Sequence, residues 1–468
     1  MNSVSNATAR LTIRHLACLF GLALVPRLLL LGFGPWQDAE RAMQPDSYRY
    51  LLLAENLREH QTFGLLGPGG LVHQSVVRLR AENGTLPPTD TNGLRPESFR
   101  TPGYPAFIAL IQSLGGGIRT VLLIQCLMGA AITGLAALIG QSLGLSARGA
   151  FLVGLLWALH PGLIVFDCVL LTENLFDAVA VTGLFLACRV RSPWAIIWAG
   201  LLLGLATLVR PLGVLYIPAA LALAWPHVHS KAVNVVVLAA AAFIPPTLWA
   251  FRNQAANEGF RVTTVGDLNL LYYTAAYAIS EERHEDWLES WPTRVDGLTN
   301  RLSRRLRPGE DVVTAARRLA WDQIRQRPKS VLKIQAKSWL KLFVDHSLPT
   351  AAETQGLTYR PSGLFSNLIM NSEPRPQGPQ GNSMATSILA LGWMGLNVLI
   401  AIAAVIGANR ALHHRDWRLF IFGVVSILLF TLATGSVGLE RFRMPMMLPL
   451  FVLAANCFSV ERRLAATR

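Results

Sequence analysis

Apolar and polar positions fall in long blocks along this chain rather than in short alternation. The first apolar run extends from Ile13 to Phe33, with Arg10 and Arg14 at its start. Later runs begin near Thr120, Phe151, Leu170, Trp194, Leu212, Ala232, Ile388, Phe420 and Met444. Runs such as VLLIQCLMGAAITGLAALIG and ILALGWMGLNVLIAIAAVIGA have about the 20 residues that a helix needs to cross a hydrocarbon core. The pattern predicts an all-α polytopic membrane protein of about ten transmembrane helices, with both termini on one side. The short alternating segments of a transmembrane barrel are absent. The first run lacks a small-residue cleavage site and reads as retained. TPGYPAFIALIQSLGGG is apolar but too short and too broken to span alone.

Two polar blocks interrupt the runs and divide the chain into three parts. Residues 1–252 form an N-terminal transmembrane module containing a first outer loop, 34–103. Residues 253–384 form an outer-face region, and 385–468 hold the C-terminal transmembrane helices. Within them, residues 47–59 and KSWLKLFVDHS (Lys337 to Ser347) read as helices lying along the membrane surface. SEPRPQGPQGNS (Ser372 to Ser383) reads as a mobile Pro/Gly linker.

Composition sharpens this picture. Charged residues make up only 15% against 52% hydrophobic, and the mean hydropathy is +0.39. The net charge of +14 would fit nucleic acid, but the basic residues sit in short loops between apolar runs. Arg148, Arg189, Arg191, Lys231, Arg410, Arg415, Arg418, Arg462 and Arg463 share one face, which the positive-inside rule makes cytoplasmic. No basic stripe interleaved with aromatics is present, so nucleic acid is excluded as a partner. The five cysteines lie in or beside apolar runs without a CxxC pair and read as small buried hydrophobes, not as disulfides or metal ligands. His413 and His414 lack acidic or cysteine partners, and the sequence indicates neither metal nor cofactor. His160 reads as a buried polar group satisfied by a neighbour.

The charges that break the topology pattern carry the chemistry. Arg210, Arg252, Arg441 and Arg443 lie at outer ends of spans, and Arg27 lies inside the first span after Pro26. Charge at this depth is costly and tends to face a protein interior or a polar cavity. A group of arginines at the outer lipid boundary suits a phosphate, whose oxygens the planar guanidinium binds in pairs. The plainer alternative is snorkelling, or pairing with Glu173 and Glu440. Asp46 and Glu173 fall on the same outer side. A carboxylate there can take a proton from an acceptor hydroxyl or amine. Asp46 alternatively caps the helix that begins at Ser47.

PDSYRYLLLAENL, then FRTPGYPAFIAL, LLTENL, GLATLVRP, WAFRN and LERFRMP, in this order and on this side, resemble bacterial family-39-type glycosyltransferases of the GT-C fold. These are relatives of protein O-mannosyltransferases and of the 4-amino-arabinose lipid A transferase. The resemblance covers most of the chain. It implies that Asp46 is the catalytic carboxylate, that Glu173 is a second acid, and that the donor is a polyprenyl phosphate sugar. It implies further that Arg100, Tyr104, Arg210, Arg252, Arg441 and Arg443 meet the donor phosphate, and Arg27, from its place inside the first span, is a further candidate for that role. Asn253 and Glu440, beside two of these arginines, are candidates for acceptor contact or support. The implied reaction is one inverting displacement on the periplasmic side of a bacterial inner membrane. The acceptor class (glycan, lipid or protein) stays open, and some relatives use a divalent ion. Two departures bear on the acceptor: Asp46 is followed by Ser47 where many relatives pair two acids, and the insert Gly67 to Pro96 is long. In the outer region, GDLNLLYYTAAYA and SWPTRV supply aromatics and amides of the kind that contact sugars. Rival readings are a lipid-linked glycan polymerase or ligase, and a carrier or flippase for a phosphate-bearing lipid. Carriers of that kind show internal repeats, and none is seen here.

Overall fold

The computed structural model describes residues 10–188, 193–224, 231–357, 384–436 and 438–458, and each of the ten apolar runs is helical in it. The chain opens with α1 (Ile13–Phe33), and its first outer loop folds into α2 (Ser47–His60) and α3 (Leu71–Glu82) before α4 (Gly103–Ser113). Then come α5 (Ile118–Ser142), α6 (Ala147–Leu159), α7 (Pro161–Asp167), α8 (Glu173–Cys188), α9 (Pro193–Val209), α10 (Ile217–Ala224) and α11 (Lys231–Ala255). The outer region carries α12 (Val265–Asn269), a π-helical turn Leu270–Ala275, α13 (Ala276–Glu282), α14 (Trp287–Arg305), α15 (Val312–Gln326), α16 (Pro328–Val344) and α17 (Leu348–Thr354). The helices Met384–His413, Ser426–Ala433 and Met447–Cys457 follow. Among the described residues the strands are β1 (Gly64–Leu65) and β2 (Arg95–Pro96), paired antiparallel with Gly64 opposite Pro96. They close the insert into a hairpin whose tip contains α3. Asp90 shapes the return, accepting from the backbone N–H of Asn92 and Leu94.

Among the described residues, four helices are long and apolar enough to cross a membrane alone: Ile13–Phe33, Ile118–Ser142, Val233–Ala255 and Thr386–His413. The pair α6 and α7, bent by 52°, makes a fifth if counted as one span. The remaining runs are shorter helices, such as Trp194–Val209 and Pro211–Ala224. The chain is an all-helical membrane protein. The bend between α6 and α7 has a local cause. Pro161 excludes the helical region for the residue before it, and His160 sits at φ −65° and ψ 118°.

Small residues set how closely the helices meet. Gly200 and Gly204, four apart on α9, press against α11, where a Cβ on either would lie 2.5 Å from the carbonyl oxygens of Leu238 and Ala242 respectively. That contact brings together the ends of α9 and α11. Large side chains such as Val25, Leu29, Phe243, Leu399 and Ile402 stay exposed, as expected of helix surfaces turned to hydrocarbon. A second core lies in the outer region, where Val76 and Leu79 of α3 pack with Tyr272, Leu298, Leu302 and Leu319.

Cys126, Cys168 and Cys188 are buried as expected, with the sulfurs of Cys126 and Cys168 3.8 Å apart and unbonded. Two depart from the expectation: Cys18 is exposed and Cys457 is only partly buried. His160 is buried, with Nε2 3.0 Å from Oδ1 of Asn397. KSWLKLFVDHS forms the end of α16 and the turn beyond it. Arg189, Arg191, Arg462 and Arg463 and the tract Ser372 to Ser383 lie outside the described residues.

Candidate active site

Three motifs far apart in sequence meet at Asp46, its own and those of Arg100 and Arg441. Its backbone lies at the start of α2 with φ −77° and ψ −25°, yet its side chain caps nothing. Ser47 takes up the local role instead: its hydroxyl accepts from the Gln44 N–H and donates to the Leu170 carbonyl at 2.7 Å. The carboxylate of Asp46 is thereby left for longer-range partners. Nη2 of Arg100 donates to one of its oxygens at 2.5 Å, and Nη1 of Arg441 donates to the other at 2.9 Å. The helix-cap reading of Asp46 therefore gives way to an anion held between two guanidinium groups.

RTPGY explains how Arg100 is aimed. The Thr101 hydroxyl donates to the Val209 carbonyl at 3.0 Å. Gly103 packs where a Cβ would lie 2.8 Å from the Leu208 carbonyl. The motif is thus clamped to the end of α9, and Arg100 projects across the rings of Tyr50 and Phe99, at 5.3 and 5.0 Å from their centroids. Tyr104 supports from below. It is buried, donates to Gln125 Oε1 at 2.7 Å and meets Tyr50 edge-on. Arg441 belongs to a 3-10 segment, Glu440–Met446, and lies 5.3 Å from the Phe442 ring. Arg210 approaches the same ring at 6.0 Å and pairs with the buried Glu173 at 2.5 Å. Phe442 thus joins two ion-paired groups: Asp46 with Arg100 and Arg441, and Glu173 with Arg210.

The other candidates lie elsewhere. Arg27 is fully buried on Asp167 at 2.5 Å and on the carbonyls of Ala23 and Ala158, so its contacts tie α1 to α6 and α7. Arg252 donates to the Phe63 carbonyl at 2.7 Å and the Glu97 carbonyl at 3.2 Å, and it stacks on Trp249. It fastens the first outer loop to α11. Asn253 is buried and donates to the Arg261 and Val262 carbonyls. Arg443 turns inward, donating to the Leu342 and Asp345 carbonyls. Glu440 accepts from the Thr350 hydroxyl at 3.4 Å.

Electrostatics define the resting state of Asp46. Burial pushes its pKa up, but Arg100 and Arg441 more than offset that and hold it at about 2. The carboxylate is ionised at any neutral pH and is a weak base while both arginines face it. The arginines are not saturated. Nε of Arg100 and Nε of Arg441 are buried without a hydrogen-bond partner among the described residues. Buried donors of this kind are costly, and an anion with several oxygens would satisfy them.

Asp46 opens onto a cleft of about 450 Å³ lined by Tyr48, Arg49, His73, Arg100, Tyr273 and Trp291, among others. The aromatic stretches of the outer region therefore do reach the site, through Tyr273 and Trp291. Arg49, paired with Glu97, and His73 were missed by the sequence reading. Arg49 was legible in part, being three residues after Asp46 in DSYRYL and so on the same helical face. His73 sits in the insert, which carries no recognisable pattern. Among the described residues, no group of three or more His, Cys, Asp or Glu is placed to hold a metal ion.

No known family profile and no curated protein matches the sequence. Among solved structures, the chain is similar to an oligosaccharyltransferase from Archaeoglobus fulgidus, crystallised with zinc and sulfate. They share 14% identity over 94% of this chain and 48% of that one, with a TM-score of 0.46. The chain thus spans about half that protein's length. It is also similar to ArnT from Cupriavidus metallidurans in the apo state, at 15% identity, 95% and 77% coverage and a TM-score of 0.35. The same protein bound to undecaprenyl phosphate gives 15%, 96% and 78%, with a TM-score of 0.35. Likenesses this distant transfer no activity, and the chain's own residues decide the reading.

Proposed function

We propose that this chain is a GT-C-type integral membrane glycosyltransferase that moves a sugar from a polyprenyl phosphate donor to an acceptor on the periplasmic face of a bacterial inner membrane. The reading rests on one observation: Asp46 is held between Arg100 and Arg441, whose Nε donors are buried and without a hydrogen-bond partner among the described residues. A carboxylate that must accept a proton and cations that must stabilise a leaving phosphate are here in direct contact. The donor phosphate binds the two guanidinium groups and draws them from Asp46, which raises the basicity of the carboxylate. The acceptor oxygen or nitrogen then attacks the anomeric carbon as the bond from that carbon to the phosphate oxygen breaks. The bonding pair leaves with the phosphate, and the acceptor's proton passes to Asp46. The sugar inverts because attack and departure occur on opposite faces. Glu173 orients Arg210, and through Phe442 it also borders Arg441.

The test uses purified wild type and Asp46→Asn in nanodiscs, a panel of polyprenyl phosphate sugars, and membrane extract as acceptor source. Donor binding and donor consumption are followed separately. Binding without transfer by Asp46→Asn is the expected result. Transfer by Asp46→Asn at the wild-type rate removes Asp46 from the chemistry. Donor bound but never consumed by wild type favours a carrier instead.

A further inference from the structure

The cleft beside Asp46 has a chemistry of its own. Its walls come from the start of α2, the turn leading into α3, Phe99, the π-helical turn and α14, all of them outside the long apolar helices. Its lining combines the charged groups Asp46, Arg49 and Arg100 with the aromatic rings of Tyr273 and Trp291. The Tyr273 and Trp291 rings lie 5.5 Å apart and are tilted by 35°. Trp291 donates its indole N–H to the Tyr272 carbonyl at 2.8 Å, which fixes the ring and leaves it only apolar surface to offer. The Tyr273 hydroxyl makes no hydrogen bond to the described residues. Tyr273 lies on a π-helical turn, a local distortion often found at functional sites. Tyr48 adds a third aromatic ring, 58% exposed.

On the glycosyltransferase reading above, we infer that this cleft binds the acceptor and that the acceptor is a carbohydrate. A pyranose offers a C–H face, which packs on aromatic rings, and an edge of hydroxyls, which pair with carboxylate and guanidinium groups. The cleft presents both kinds of group. Its volume of about 450 Å³ lies within the range of about 300–1,000 Å³ typical of sites that bury a ligand of a few rings. A continuous apolar slot of the kind an acyl chain needs is broken by Asp46, Arg49 and Arg100.

The experiment places the purified full-length protein in detergent on an array of bacterial mono- to tetrasaccharides. Parallel arrays carry serine- and threonine-containing peptides and phospholipids. Wild type, Trp291→Leu and Tyr48→Ala are compared, and polyprenyl phosphate binding reports that each variant is folded. Saturable binding to saccharides is expected, weakened by about tenfold in Trp291→Leu, the effect of losing one stacking face. Tyr48→Ala changes an exposed side chain and carries the test if Trp291→Leu does not fold; a loss of about threefold is expected there. Binding only to peptides or only to phospholipids overturns the inference, and so does saccharide binding that both variants leave unchanged, or no saccharide bound. If wild type binds saccharides through these residues but consumes no polyprenyl phosphate sugar, the cleft stands and the transferase reading falls.

Discussion

Removing the presumed base should tighten the binding of the phosphate while ending the reaction. In the resting state Asp46 occupies the arginines that a donor phosphate needs. Its pKa falls from 3.8 to about 2 against the opposing effect of burial. At about 1.4 kcal/mol per unit, the two arginines favour the ionised carboxylate by about 2 kcal/mol net. The side chain is 20% exposed, so solvent screens part of this. A phosphate entering the wild-type site must displace or share that interaction, whereas in Asp46→Asn the competing charge is gone. The ceiling on the gain is on the order of 50-fold in Kd, and about tenfold is expected after screening. The assay is equilibrium binding of radiolabelled polyprenyl phosphate, which carries no sugar and so cannot turn over, to both proteins in nanodiscs. Unchanged or weaker binding by Asp46→Asn would refute competition between carboxylate and phosphate for Arg100 and Arg441.

Further outcomes follow from the same contacts. Arg441→Gln should weaken polyprenyl phosphate binding by about 10–100-fold in the same assay, the worth of a charge-assisted bond or two. Glu258→Ala should lower the melting temperature sharply. Glu258 is buried on both Nη atoms of Arg80 at 2.8 and 2.9 Å, and stranding that arginine costs about 3–5 kcal/mol. The pair Arg27→Met with Asp167→Leu should leave polyprenyl phosphate affinity within about twofold of wild type, since Arg27 spends its contacts on Asp167 and backbone. His73 supplies a pH test. Burial and then Arg49 lower its pKa from 6.5 to about 4, with Arg100 acting in the same sense, and Glu97 and the Gly69 backbone opposing. The unfolded chain therefore binds more protons between these values, so stability is full above pH 6.5 and declines as pH falls toward 4. His73→Phe should flatten the melting temperature between pH 6.5 and 5, and an unchanged slope would assign the acid sensitivity to other groups.

The sequence by itself determined the all-helical membrane architecture, because twenty-residue apolar runs leave the backbone no other way to satisfy its polar groups in lipid. It also marked Arg210 and Arg441 as charges in costly places, with Asp46 on the same outer side and Arg100 marked by the resemblance, and the structure pairs Arg100 and Arg441 with Asp46 and Arg210 with Glu173, the two groups meeting across Phe442. It could not tell those arginines from Arg27, Arg252 and Arg443, which look the same in one dimension. Each of the latter donates to a carbonyl or a buried acid distant in sequence, a contact that exists only once the chain has packed. Nor could it resolve whether Asp46 caps α2. That depended on Ser47 taking the local hydrogen bonds and on Arg441, 395 residues away, arriving at the carboxylate. The aromatic stretches holding Tyr273 and Trp291 were legible in the sequence, but which of their rings line the cleft, and that His73 joins them, was decided by tertiary structure. The insert and the outer region meet through a second apolar core, and which side chains line the gap between them is set by how that core packs, a property no local pattern encodes.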